Sequence, residues 1–499
     1  MDASIPNCEA AYQRPNAAGS CWTCVAVNAT CDSGLPGYAS RLQWPEIQSP
    51  RRLFNLQTGA DRHPERDSIS CYRKPCEIPN RFQSSIPEGV FLLITDAALT
   101  IPSALSSFGV PAHEGRLLQH FAKNIARIAL AIDYEGNVYR SIVSMAMSDQ
   151  ALLNSILAAS SSHLSRWQNT PDTCSAVYTR RALVELENRL CDPVTASSES
   201  TLATMLCLIS VEAGNGSRNW KHHYGGLEGW LRWRGDTLRL DPFLKSWIFL
   251  AAYQAALVFD QEPIAEIRRW LDAPDTPESP SKQVIDPFLG YSVKLPKLLL
   301  KAASLQKARA NSTLSAGAIQ CQVVQLQQEI AACRLDLTKP VLLASSCQRG
   351  AFSSVVSTSL GQRDLWRRAG ATAEIFRHAA HIYLHRICAG SGEPLPMEIQ
   401  MSVDSILELL SMIPDTQGPG SNLAWPLFVV GLEVNSVELR DMILDRWESL
   451  HQLGMKSTRG TERVLVEAWR CHDKARTGTG EAKHWQTVMH QLGEEQMVV

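Results

Sequence analysis

From about Phe91 to near the C-terminus, apolar residues return every three or four positions, over roughly 400 residues. No other feature of the chain limits its fold so strongly. "EGRLLQHFAKNIARIALAI" places Leu117, Phe121, Ile125, Ile128 and Ile132 on one predicted helical stripe. "SDQALLNSILAASSSHLSRW" has Asp149 near its start and carries Leu153, Ile156, Leu157, Ser160, Leu164 and Trp167 on one face. The small residues on that face favour close helix contact. "ESTLATMLCLISVEA" is apolar nearly all round, which predicts a central helix. Asp241-Pro242 opens a helix with a capping acid and a proline at the first helical position, and Gly235 ends the one before it. Later segments such as "PKLLLKAASLQKAR", "DLWRRAGATAEIFRHAAHIYLHRICAG" and "GTERVLVEAWRCHDKA" read the same way. Strand-like alternation is nearly absent and no fixed repeat stands out. The expected fold class is all-α, a large helical-bundle body built by packing helix on helix.

The first 85 or so residues break this pattern. "RPNAAGS", "SGLPGYAS" and "DRHPERDS" are rich in Pro, Gly, Ser and charge, as in a small module followed by a flexible linker. "APDTPESPSKQ" and "AGSGEPLP" are expected to be exposed loops within the body.

Charge and cysteine usage exclude several functions. The chain has 499 residues and a formal net charge of -2, so no global basic field draws it to nucleic acid or membrane. Its start, "MDASIPNCEAAYQRPN", has no basic beginning and no apolar stretch, so no secretory signal is expected. The most apolar segment, "KSWIFLAAYQAALVF", suits a buried helix and is too short to span a bilayer. No membrane partner is expected. The 14 cysteines should be mostly reduced, and most should serve as small buried apolar side chains.

Catalytic patterns are missing. The sequence has no P-loop, no G-x-S-x-G and no G-x-G-x-x-G after a strand, and a non-enzyme is expected. His378, His381 and His385 fall on roughly one helical face, but no HExxH glutamate accompanies them. Packing or capping by these imidazoles is the expected role. "WKHHYGGLEGWLRWRG" mixes aromatic and basic residues in a way that could stack on nucleic acid. Its period instead puts Trp220, Leu227, Trp230 and Leu231 in the core, with Arg232 and Arg234 offsetting the negative helix end.

The N-terminal cysteines carry the most specific chemistry. Cys21, Cys24 and Cys31 are spaced C-x2-C-x6-C, with Asp32 following. Two thiolates two residues apart can bite one tetrahedral zinc, and a third can arrive after a short loop. "SCWTCVAVNATCD" resembles the first half of the six-cysteine binuclear zinc cluster of fungal transcription factors. "GYASRLQWP" is similar to the segment after the last cysteine of that cluster in one branch of the family. Blocks of the body, including "TLATMLCLISVEAGNGSRNWKHHYGGLEGWLRWRG", "IYLHRICAGS" and "LAWPLFVVGLEV", are similar to the fungal-specific transcription factor domain of that branch. They occur in the family's order and cover most of residues 90–475.

The resemblance implies a transcription regulator with nuclear localisation, zinc as cofactor, promoter DNA as partner and homo- or heterodimerisation. It also implies control of a metabolic gene set, with secondary-metabolite biosynthesis a reasonable case. The implied domains are a degenerate zinc-cluster DNA-binding module at 1–45, a largely disordered linker at 46–90 and an all-α regulatory domain at 91–490. The metal ligands implied are Cys21, Cys24 and Cys31. A pocket between helices could admit a small-molecule effector.

The module departs from the family at two points. "VAVNAT", between Cys24 and Cys31, has no Lys or Arg to meet phosphate, and the next cysteines, Cys71 and Cys76, lie far beyond the expected position. Cys8, Cys71, Cys76 and His63 match no recognised pattern for completing a single zinc site. Residues 1–85 hold nine basic and eight acidic side chains, too balanced for a phosphate-neutralising surface. Three accounts stay open: coding sequence missing between Cys31 and Leu42, a decaying locus, or action without direct DNA contact. The rival class is a helical ligand-binding or scaffold protein.

Overall fold

The computed structural model describes residues 110–131, 137–235, 240–258, 263–272, 284–286, 288–336, 342–343, 360–389, 393–414, 416 and 418–495. The body opens with α1 (Ala112–His120), which continues through a π-helical turn (Phe121–Ile125) into one more α turn (Ala126–Ile128). Then come α2 (Val138–Ala146), α3 (Gln150–Trp167), α4 (Ser175–Leu190), α5 (Pro193–Ala196), α6 (Glu199–Gly214), α7 (Trp220–Arg234) and α8 (Pro242–Val258). The second half holds α9 (Ala265–Asp272), α10 (Leu295–Ala310), α11 (Ala316–Ala332) and the long α12 (Leu360–Ala389). It ends with α13 (Met397–Leu410), α14 (Ala424–Gly431), α15 (Val437–His451), α16 (Ser457–Arg476) and α17 (Trp485–Leu492). Among the described residues, strand is confined to β1 (Val284–Ile285) paired in parallel with β2 (Leu342–Leu343).

Packing follows the chain. α3 lies against α4 and α6, α6 against α7 and α8, and α8 against α10. From there α10 meets α11 and α12, α12 meets α13 and α14, α14 meets α15 and α16, and α16 meets α17. One continuous apolar core runs through all of them. α6 is central, as its all-round apolar sequence predicts: every residue from Thr201 to Ile209 is buried. On α3, Ala158 and Ser160 are fully buried, so small side chains do bring its neighbours close. Trp220, Leu227, Trp230 and Leu231 all sit in the core, and the Trp230 indole donates to the Ala196 carbonyl at 2.7 Å.

The helix ends also follow the sequence. Asp149 caps α3 by accepting from the backbone N–H groups of Ala151 and Leu152, and Asp241 accepts from Phe243 at the start of α8. Gly235, at φ 68°, ends α7 in a backbone conformation that suits a residue without Cβ.

The predicted stripe on α1 needs correction. Leu118, Phe121, Ala122 and Ala126 are buried, whereas Leu117, Ile125 and Ile128 are only half-buried. The π turn adds a residue to the register after Phe121 and moves the buried position from Ile125 to Ala126, while Leu117 and Ile125 still pack against the core from its edge. A strict 3.6-residue reading has no means of detecting that shift. Ile132 lies outside the described residues, as does "APDTPESPSKQ".

Candidate functional site

The residues singled out in the sequence fall in different places. Cys21, Cys24 and Cys31 lie outside the described residues, together with Cys8, Cys71, Cys76 and His63. The histidine face of α12 has its own contacts. Arg377 donates to His378 Nε2 at 2.8 Å, and His381 Nδ1 meets the Ser402 hydroxyl at 3.3 Å. Burial, helped by the Arg377 charge and by His381, lowers the His378 pKa to about 3 and keeps the ring neutral at ordinary pH. No group of three or more His, Cys, Asp or Glu among the described residues is placed to hold a metal.

A second imidazole cluster went unnoticed in the sequence. His163 Nε2 lies 2.8 Å from the Leu453 carbonyl, which can only accept, so Nε2 carries the proton. His163 Nδ1 must then accept from His120 Nε2 at 2.9 Å, and His120 Nδ1 accepts from the Asn124 amide at 2.9 Å. Burial lowers both imidazoles to about 4, so the chain of bonds is neutral and its proton positions are fixed. Beside it, Arg166 donates to the Gly454 carbonyl and to Ser162. Ser162, His163 and Arg166 line a small space of about 170 Å³.

The larger space lies at the other end of the body. A half-open cavity of about 1030 Å³ is lined by α10, α12, α14, α16 and α17, joined by Leu257 from the end of α8 and Gln400 of α13. That volume is at the upper end for small-molecule sites. Its apolar wall is aromatic. Phe428 meets Trp485 edge-on at 5.3 Å between ring centroids, and Tyr383 meets Trp425 edge-on at 6.2 Å. α14 supplies Trp425 and Phe428 because every one of its residues is buried, and Pro426 sits in its first turn, where no backbone N–H is needed.

A polar relay crosses the same cavity. Tyr383 donates to Gln306 Oε1 at 2.6 Å, Gln306 Nε2 donates to Gln486 Oε1 at 2.8 Å, and Gln486 Nε2 donates to the Leu257 carbonyl at 2.8 Å. Each amide keeps a further donor or acceptor for a guest. The His484 imidazole, lowered to about 4 mainly by burial, is a neutral ring against Trp485. His472 lines the cavity too, and its buried Nε2 has no hydrogen-bond partner.

Of the charged groups that line the cavity, Arg309, Arg476 and Glu393 are exposed, whereas the Arg386–Glu433 pair is mostly buried. Arg386 is held by Glu433 through Nε at 2.8 Å and Nη2 at 2.5 Å, and by the Glu393 carbonyl at 2.8 Å. Arg309 is exposed and donates to the Ile387 carbonyl, and no carboxylate pairs with it among the described residues. The arrangement can desolvate an aromatic guest, hydrogen-bond its oxygens and attract a negative group at the rim.

Sequence blocks marked α12 and α14 as parts of one body, but the cavity joins side chains from Leu257 to Gln486. Their convergence has no local signature. The sequence model of the family described as "Fungal specific transcription factor domain" matches residues 116–498. No curated protein and no solved structure matches the chain. The matched span contains every helix that lines the large cavity, and the chain belongs to the fungal specific transcription factor domain family.

Proposed function

We propose that the chain is a transcription regulator of the fungal zinc-cluster type, with its helical body as the control unit. The family match over residues 116–498 carries this reading. It acts in the nucleus, as a dimer, on a metabolic gene set for which a secondary-metabolite cluster is the favoured case. Among the described residues no helix is long and apolar enough to cross a membrane. Cys21, Cys24 and Cys31 are the zinc ligands of its N-terminal module. Three thiolates are half of what a two-zinc, six-thiolate cage needs, so this set does not fit the full cluster. Unaided recognition of a promoter therefore requires coding sequence that this chain lacks; otherwise the body acts through an intact partner.

Fusing the full chain to a DNA-binding module of known site tests the reading. Reporter output should change when the fusion is recruited. Unchanged output, together with unchanged transcripts after deletion of the gene, would remove the regulator reading. Zinc content and footprinting of the purified chain separate the two routes to DNA. Two zincs and a footprint with a steep salt dependence mean a complete cluster; neither means action through a partner.

The large cavity favours a second reading, a helical ligand-binding or scaffold protein with no direct DNA contact. It predicts ligand binding with no effect on the reporter.

A further inference from the structure

We propose that the cavity between α12 and α17 binds a planar aromatic carboxylate, ring system inward and carboxylate at Arg309. Three observations converge on that chemistry.

The first is the wall. Trp425, Phe428, Trp485 and Tyr383 present rigid ring faces and edges, which favour a flat apolar guest over a flexible one. A rigid guest also loses little conformational freedom on entry.

The second is the interior polarity. The Tyr383–Gln306–Gln486 relay is uncharged, and His484 is held neutral. Such an interior solvates ring hydroxyl or keto oxygens and disfavours an ionised group.

The third is the mouth. Of the three guanidiniums that line the cavity, Arg386 is engaged by Glu433, and Arg476 donates to the Asn435 side chain at 3.3 Å. Arg309 uses one of its donors on the Ile387 carbonyl and faces no carboxylate among the described residues. Its remaining donors match the two oxygens of a carboxylate. Glu393 on the same rim opposes a doubly charged group such as a phosphate, so a monoanion fits better.

Binding itself does not depend on the regulator reading; only its consequence for transcription does. The test therefore uses purified full-length protein. Anthracene-2-carboxylate is titrated by its own fluorescence, with anthracene-2-carboxamide as the neutral match. The acid should bind saturably at one site and at least about 10-fold more tightly than the amide, which is about 1.4 kcal/mol. Arg309→Gln should bring the acid down to the level of the amide and leave the amide unchanged. Arg309 is exposed, so this variant keeps the fold. Leu432→Trp, which fills the cavity, should abolish both, with an unchanged circular-dichroism spectrum showing that it has folded. Equal binding of acid and amide, no saturation by either, or acid binding untouched by Arg309→Gln overturns the proposal, whatever the reporter shows.

Discussion

Around His163, a space of about 170 Å³ is bordered by an imidazole and a guanidinium that bond to groups of the fold. Between α12 and α17, a space of about 1030 Å³ is bordered by two part-used amides and by an arginine that meets no carboxylate among the described residues. Both regions are built from the same kind of amphipathic helix. The difference lies in where the polar atoms spend their bonding capacity. At the first end they tie α1, α3 and the segment after α15 to one another. At the second they stay available. A fold gains stability from the first use and a binding site from the second.

Substitutions can break or sharpen this contrast. The largest effect is expected in the dense core beside the small space. Leu206→Ala should cost about 4 kcal/mol in a denaturant titration, because the fully buried α6 cannot collapse onto the gap. It should leave affinity at the large cavity unchanged.

Acid should weaken the small-space end next. His120 and His163 have pKa values lowered to about 4 in the fold, against about 6.5 in an unfolded chain. The unfolded state then binds more protons between these values, so stability falls as pH drops from about 6.5 to 4. Melting temperature measured across that window should decline steadily. His163→Gln, with one imidazole fewer, should show a shallower slope from a lower starting point.

In the cavity lining, Arg386→Met leaves Glu433 without its guanidinium. The expected loss is about 2 kcal/mol in a thermal melt, less than for a sealed pair because the cavity admits water. The smallest effect should come from Val429→Phe, whose added ring enters existing space: less than about 1 kcal/mol in the same melt. If Val429→Phe cost more than about 1 kcal/mol, as overpacking of a dense core does, the two regions would not differ in packing as described.

Much of the body was legible in the sequence because helical burial is periodic and local. α6 and α7 could be placed from composition and spacing alone, and Asp241 and Gly235 marked boundaries through capping chemistry that acts within a few residues. α1 failed where one extra residue in a π turn moved the buried position without changing composition. The cavity was not legible. Gln306, Tyr383, Trp425 and Gln486 are far apart in the chain, and each reads locally as an ordinary helix residue. The imidazole pair His120 and His163 stayed hidden for the same reason. The cysteine pattern was visible at once, since metal-ligand spacing is local, but Cys21, Cys24 and Cys31 lie outside the described residues.

α17 has a consequence out of proportion to its two turns. Trp485 and Gln486 form part of the cavity wall at its start. Just past its end, Arg218 grips the Gly493 carbonyl while Lys221 and the Trp220 indole hold Glu495. The tail thus works as a keystone between the first and last thirds of the body. A premature stop codon near His484 would remove only a short tail from the product, yet it would open one wall of the cavity and unbuckle the start of α7 in a single event.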